Sequence, residues 1–324
     1  MIELAAIREA RDRIADVAVR TPLIRLHVED APAEVYLKLE TLQPINSFKI
    51  RGAANAIRCA SAAEREPGLL TASAGNMAQG VAWMARELGL PATIAVPEHA
   101  PEAKLAAIER LGGRVLRVPY EDWWQAIVRG QIEGLEGLFI HPVSDPAVMA
   151  GNGTIGLEIL EDLPDPAAVV IPLGGGGLTV GIASAIKALR PQTKIFTAEP
   201  KTGAALHAAL RAGAPTEVEY QASFVDGSGS RRVLDTMWPR LAEVVDDAFA
   251  VPLADVGAAV RTIAQRARVI AEGAGALATA AALAGRAGGG KVVCIVSGGN
   301  INLARLAEIL SAPAPGDRSD GGGA

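Results

Sequence analysis

Val169-Val170-Ile171-Pro172-Leu173 is an apolar run that ends in consecutive glycines, Gly174, Gly175, Gly176 and Gly177, and then resumes as a helix-patterned segment at 178–189. An apolar strand with no polar alternation is one buried on both faces, as in a parallel sheet covered by helices. The same order of strand, turn and helix recurs along the chain. Segments 93–97, 114–118 and 138–140 read as strands of one sheet, with helices near 101–111 and 120–130 between them. Segments 194–199 and 292–296 read as strands of another. Such alternation predicts the α/β class, with mainly parallel sheets covered by helices. A length of 324 residues suggests about two domains, and a hydrophobic content of 50% is ample for their cores.

The glycine run has a chemical use. Bare backbone amides that can adopt positive φ suit a loop that wraps a phosphate, and the helix that follows supplies a matching dipole. No lysine follows in the Walker pattern. The dinucleotide fingerprint fails as well, because the i+5 position is Thr179 counted from Gly174 and Val180 counted from Gly175. Glu199 stands where a ribose contact could fall, which leaves a nicotinamide alternative open, as does a turn made only for close packing.

Lys49 lies in Ser47-Phe48-Lys49-Ile50-Arg51-Gly52-Ala53, after an alternating strand at 35–40 broken by Gln43-Pro44. Ser47 is the expected N-cap of an alanine-rich helix beginning near Ile50 and running toward Ala63, so Lys49 falls in its first turn. The positive end of a helix disfavours an ammonium there, and burial lowers its pKa further. Those conditions make a lysine amine nucleophilic toward carbonyls. The plain alternative is a solvated lysine at a helix start.

A third segment, Thr71-Ala72-Ser73-Ala74-Gly75-Asn76-Met77-Ala78-Gln79-Gly80, precedes a helix whose Ala78, Val81, Ala82, Ala85 and Leu88 recur on one face. Ser73, Gly75 and Asn76 form a polar turn at its N-terminus, suited to a carboxylate held by backbone amides or to a simple cap.

Together with Ser297-Gly298-Gly299-Asn300 near the C-terminus, and in the same order, these stretches resemble the fold-type II pyridoxal-phosphate enzymes, tryptophan synthase β-like in architecture. Within that group they resemble the threonine/serine dehydratase and serine racemase branch, from about Thr21 to Leu310. The resemblance implies pyridoxal 5'-phosphate as cofactor, carried on Lys49, with Phe48 beside the ring and Asn76 on its phenolic oxygen. Gly174, Gly175, Gly176, Gly177 and Leu178 would bind the phosphate. Ser297 would face the pyridine nitrogen, and Asp226-Gly227 and Glu272-Gly273 would line the other edges. The substrate carboxylate would sit on Ser73, Ala74, Gly75, Asn76 and Met77, and the freed Lys49 amine would take the α-proton. The implied reaction is α,β-elimination from a β-hydroxy amino acid such as L-threonine or L-serine, giving a 2-oxo acid and ammonia. A larger or modified β-hydroxy amino acid, β-replacement on the same fold, and a non-catalytic binding protein are the alternatives. The resemblance also implies a large cofactor-binding domain at 1–57 and 148–312, a small inserted domain at 58–147, and a homodimer or homotetramer. The tail, 313–324, reads as disordered.

Several positions depart from the family pattern. Ala74 stands where serine racemases carry a second, proton-delivering serine. Met77 replaces a histidine usual in dehydratases, which points to a larger or less polar substrate side chain. Asn46 replaces a common glycine, and 224–232 is unlike the dehydratase version. Glu199 fits the first carboxylate of the family's cation site, but Ala205 stands at the second, so no tight metal is expected.

The net charge of −5 argues against nucleic acid as the main partner. Cys59 and Cys294 are too few for a disulfide framework and read as buried small hydrophobes of a reducing compartment. The start, Met1-Ile2-Glu3-Leu4, opens a charged amphipathic helix rather than a signal peptide, and no apolar run reaches membrane-spanning length, so a cytoplasmic location is expected. Trp123-Trp124 reads as packing or a subunit contact, and His27, His99, His141 and His207 lack metal-ligand spacing and receive no catalytic role.

Overall fold

The structure, a computed structural model, describes residues 1–312; the tail expected to be disordered lies outside the described residues. The strands are β1 (Leu23–Arg25), β2 (Glu34–Leu39), β3 (Leu69–Ala72), β4 (Ala92–Pro97) and β5 (Arg114–Val118). They continue with β6 (Leu138–Phe139), β7 (Ala168–Pro172), β8 (Lys194–Pro200), β9 (Asp247–Val251) and β10 (Lys291–Val296). The helices begin with α1 (Leu4–Arg13), α2 (Lys49–Cys59), α3 (Ala62–Arg65), α4 (Asn76–Leu88), α5 (Glu102–Arg110) and α6 (Tyr120–Arg129). Then follow α7 (Pro146–Asp162), α8 (Gly177–Leu189), α9 (Ala205–Ala212) and α10 (Trp238–Val244). The last are α11 (Leu253–Thr262), α12 (Gly273–Leu283) and α13 (Leu303–Ser311).

A six-stranded sheet runs in the order β1-β2-β10-β7-β8-β9, and a four-stranded sheet in the order β5-β4-β3-β6. Every pairing is parallel except β1 with β2. The period of two is visible in the larger sheet. Val169, Ile171, Val293 and Ile295 join one core with Ile7 of α1, Ile159 of α7 and Ile186 of α8. Val170, Cys294 and Leu37 join a second core with Val260 of α11, Leu277 of α12 and Leu306 of α13. Covered on both faces, the strands have no place for polar alternation, and each buried aliphatic side chain contributes about 1.5–3 kcal/mol over its exposed state. In the smaller sheet Leu69, Ile94 and Val96 face α2 and α4, while Leu70, Ala72 and Ala95 face Ala126 and Ile127 of α6.

Two sequence expectations are corrected here. The alanine-rich segment after Lys49 is not one helix: α2 stops at Cys59, and α3 restarts behind a capping box of Ser61 and Glu64, a local alternative that outcompetes continuation. Cys59 is exposed at the end of α2 and only Cys294 is buried, because the apolar neighbours of Cys59 in sequence turn to the other side of the helix. Trp123 is half-buried against the core beneath the smaller sheet, and Trp124 is exposed. Among the described residues no helix is long and apolar enough to cross a membrane.

Candidate active site

The carboxyl ends of β3, β7 and β10 carry the turn at Ser73, the glycine run and Ser297 respectively. In the larger sheet β7 leads through α8 to β8 on one side, while β10 pairs on its other side and leads to α13. Helices α8 and α13 lie on opposite faces. The β7/β10 boundary is therefore a topological switch point, where open α/β sheets form a ligand crevice.

The chain reaches this crevice from β2 through a left-handed residue, Asn46, whose φ is +56°. That conformation explains why glycine is common at this position, and asparagine is among the few side chains that tolerate it. Ser47 then forms an isolated bridge with Gly298, and the Phe48 N–H donates to the Ser297 carbonyl at 3.0 Å. This bridge holds Ser47 extended, so Phe48 rather than Ser47 takes the N-cap position, and the Ser47 hydroxyl meets the Lys49 N–H at only 3.4 Å. Lys49 is the first residue of α2. Its Nζ donates to the Pro142 carbonyl at 2.8 Å and lies 5.2 Å from the centre of the Phe48 ring. Burial pushes the amine down to about 8.

Two residues on, Arg51 anchors this helix start in a fully buried charge network. Its guanidinium donates to both Glu40 oxygens at 2.8 and 2.9 Å and to Glu158 at 2.6 and 2.9 Å. Lys38 completes it, donating to Glu158 and to the Thr21 carbonyl. Charge is balanced: burial pushes the Glu40 carboxyl up most strongly, but the Arg51 charge and hydrogen bonds, with the Thr21 hydroxyl and Lys38, together hold it below its ordinary pKa. Sequence reasoning missed this cluster. In a strand read as alternating, Lys38 looks like an outward residue, but α7 covers that position and brings Glu158 to it.

The glycine run is shaped by what lies under it. Gly176 sits in the left-handed region at φ +96°. A Cβ at Gly175 would lie 2.4 Å from Val143 Cγ2, and one at Gly177 only 2.5 Å from the Val143 carbonyl oxygen. Among the described residues, the N–H groups from Gly174 to Thr179 donate to no acceptor. They form a row of open donors at the start of α8, the arrangement an anion fills. Val143 belongs to the turn whose Pro142 carbonyl holds Lys49, so the amine and the glycine run share one support.

The turn after β3 is more selective than the sequence indicated. The Ser73 N–H is taken by the Ala95 carbonyl of β4, and the Gly75 N–H by the Ser73 hydroxyl. The amides of Ala74, Asn76 and Met77 donate to nothing among the described residues. The Met77 side chain is buried with Ile50 and Val81, so it offers the site an amide and not its thioether. The first turn of α4 points the thioether into the core. The Asn76 side chain donates to Glu272 at 2.9 Å and accepts from Asn300 at 2.8 Å. Burial, with Asp226 adding to it, raises the Glu272 carboxyl to about 7. Ser297 is buried at the end of β10, and its hydroxyl has no partner among the described residues.

Glu199 serves elsewhere. It is fully buried, and its carboxylate accepts the N–H groups of Leu206 and His207, closing the first turn of α9. This use removes it as a ribose contact.

A model of the family described as pyridoxal-phosphate dependent enzyme matches residues 14–298. The chain belongs to that family. This pyridoxal-phosphate dependent enzyme is 40% identical over 316 residues to an L-threonine ammonia-lyase of Thermotoga maritima, covering 96% of the chain and 79% of the relative. Its fold is similar to that of maize serine racemase, with a TM-score of 0.88 and 32% identity over 95% of this chain and 96% of that one. It is likewise similar to the processed form of threonine deaminase isoform 2 from Solanum lycopersicum, with a TM-score of 0.84 and 32% identity over 94% of this chain and 86% of that one. The residues present fit the cofactor: open amides along the glycine run suit its phosphate, and a partly buried lysine of lowered pKa suits its carbonyl.

Proposed function

We propose that this enzyme catalyses α,β-elimination from a β-hydroxy amino acid such as L-threonine or L-serine. The observation that carries the reading is the Lys49 amine, held at 2.8 Å on the Pro142 carbonyl and lowered to about 8. A lysine so placed is a substantial free base just above neutrality. When bound, pyridoxal phosphate supplies the electron sink that labilises the Cα–H bond. Lys49 would carry that group between turnovers, and Phe48, Asn76, Ser297 and Gly174 to Leu178 would hold it. The open amides of Ala74, Asn76 and Met77 receive the substrate carboxylate. With its amine free, Lys49 would take the α-proton. The Cα–H electron pair would form the Cα–Cβ double bond as the Cβ–O bond breaks, and the hydroxyl would leave as water with a proton equivalent to the one Lys49 removed. Hydrolysis of the released enamine gives the 2-oxo acid and ammonia.

Racemisation is the second reading, favoured by the likeness to maize serine racemase. Ala74 has no hydroxyl to deliver a proton to the opposite face of Cα, so elimination is preferred. The larger body at 1–57 and 148–312, the inserted one at 58–147, and an assembly of two or four copies belong to the same proposal. Sedimentation as a monomer at assay concentration would contradict the last. The deciding experiment measures 2-oxo acid and ammonia from L- and D-serine, L- and D-threonine, 3-hydroxyaspartate and 3-aryl serines, with Lys49→Ala as control. Turnover of an L-β-hydroxy amino acid that Lys49→Ala abolishes is expected. Silence on the whole panel with cofactor bound would overturn it in favour of β-replacement or a binding role.

A further inference from the structure

We infer that His141 is the positioning residue that holds the Lys49 amine and the glycine run in mutual register, by locking the turn at 141–144. This rests on the role proposed for Lys49. The His141 Nδ1 accepts two backbone N–H groups, from Val143 at 3.0 Å and Ser144 at 2.9 Å. A nitrogen that accepts twice carries no hydrogen, so the network assigns the proton to Nε2, which donates to the Ile127 carbonyl of α6 at 2.9 Å. The imidazole thus does what an asparagine or aspartate side chain does in an Asx turn, and it also ties that turn to a helix. Both residues that follow are committed. The Pro142 carbonyl accepts from Lys49 Nζ at 2.8 Å, and Val143 lies directly beneath Gly175 and Gly177. One side chain therefore sets the position of the lysine's acceptor and of the floor of the anion loop.

The charged groups facing the ring are Lys49 from α2 and Asp145 at the start of α7, while α6 presents the Ile127 carbonyl. Burial keeps the imidazole below its ordinary pKa, opposed by the Ile127 carbonyl and Asp145 and assisted by Lys49. Burial thus favours the neutral form that the turn requires. Nothing in the sequence marks His141, because its partners are backbone groups and the nearby Ser144 hydroxyl, and the residues it positions lie in other segments.

The test compares His141→Leu, His141→Asn and His141→Gln. Asparagine can rebuild the acceptor of an Asx turn, whereas glutamine can reach toward Ile127 but sets no acceptor over the two amides. Three quantities are read: the pH dependence of pyridoxal-phosphate attachment to the cofactor-free protein by visible absorbance, kcat, and KM for the amino acid. His141→Leu is expected to slow attachment at neutral pH by about tenfold, as water reaches the amine and its pKa rises by a unit. It should also lower kcat by on the order of 10²-fold, the cost of a misplaced reacting group. KM should change by less than about twofold, because the turn at 73–77 is not touched. His141→Asn should recover most of both losses, and His141→Gln should not. Wild-type attachment and kcat in His141→Leu would overturn the inference. If that variant does not fold, the comparison of asparagine with glutamine decides, and equal defects in the two would overturn it. Attachment that survives Lys49→Ala would instead sink the role of Lys49 itself, a distinguishable failure.

Discussion

The Asn76 carboxamide donates to Glu272 Oε1 at 2.9 Å while its oxygen accepts from Asn300, so a single side chain ties the turn after β3 to two segments of the larger sheet's side, before α12 and after β10. The remaining Asn76 N–H has no acceptor among the described residues, and Glu272 is left as a carboxyl raised to about 7 from an ordinary 4.5, chiefly by burial.

Stability should therefore depend on Glu272 in an uncommon direction. Below pH 4.5 the group is protonated in both folded and unfolded chains. Between 4.5 and about 7 the folded chain keeps a proton that the unfolded chain has lost, so stability falls as pH rises through that window. The loss is on the order of 3 kcal/mol and is complete above about pH 7. Glu272→Gln in the cofactor-free protein should match wild type near pH 5 in urea unfolding and exceed it near pH 8. Glu199, also raised to about 7 by burial, acts in the same direction, so the slope is reduced and not abolished. An unchanged slope in Glu272→Gln would remove the carboxyl from this account.

The Arg51 network predicts a different signature. Replacing Glu158 with alanine leaves two buried cations, Lys38 and Arg51, facing Glu40 alone. Stranding a buried charge costs about 3–5 kcal/mol. Glu158→Ala should lower the unfolding free energy by that amount, measured by denaturant unfolding. Arg51→Lys should also destabilise, because an ammonium cannot reproduce the two-pronged contact with Glu40. A loss below about 1 kcal/mol in Glu158→Ala would mean water or a rearranged side chain compensates.

Asn46 offers a backbone test outside the chemistry. Its φ of +56° costs a β-branched side chain about 1–2 kcal/mol and a glycine nothing sterically. Asn46→Val should lose that amount in thermal or urea unfolding, and Asn46→Gly should stay within about 0.5 kcal/mol of wild type. Equal stability of the two variants would mean that the segment relaxes to an ordinary conformation.

What can be read in advance follows from where the information lies. The 169–173 run and the glycines after it announce a strand covered on both faces and an open row of amides, since both properties are local in sequence. Lys49 at the start of α2 is equally local, and only the cap falls one residue later than Ser47. The Ser47–Gly298 bridge that displaces it joins positions far apart in the chain. Lys38, Glu158 and His141 escape notice for the same reason, because their partners come from other segments. Which way the Met77 thioether faces was not legible either, because a helix turn, not residue type, decides whether it meets a cleft or a core.

The contact between Gly175 and Val143 permits a test with its own control. A methyl at Gly175 would meet the Val143 methyls at 2.4 and 2.6 Å, and valine's stiff χ1 gives it little room to move. Gly175→Ala should therefore weaken pyridoxal-phosphate binding by on the order of tenfold, about 1.4 kcal/mol, measured by titration of the cofactor-free protein. Adding Val143→Ala removes the clashing methyls and should restore much of the affinity. A methyl at Gly177 meets the Val143 backbone carbonyl instead, at 2.5 Å. Val143→Ala leaves that atom in place, so it should not rescue Gly177→Ala. Rescue of both glycine variants would show that the turn moves as a loose flap, and rescue of neither would place the defect in the loop's amides and not in its floor.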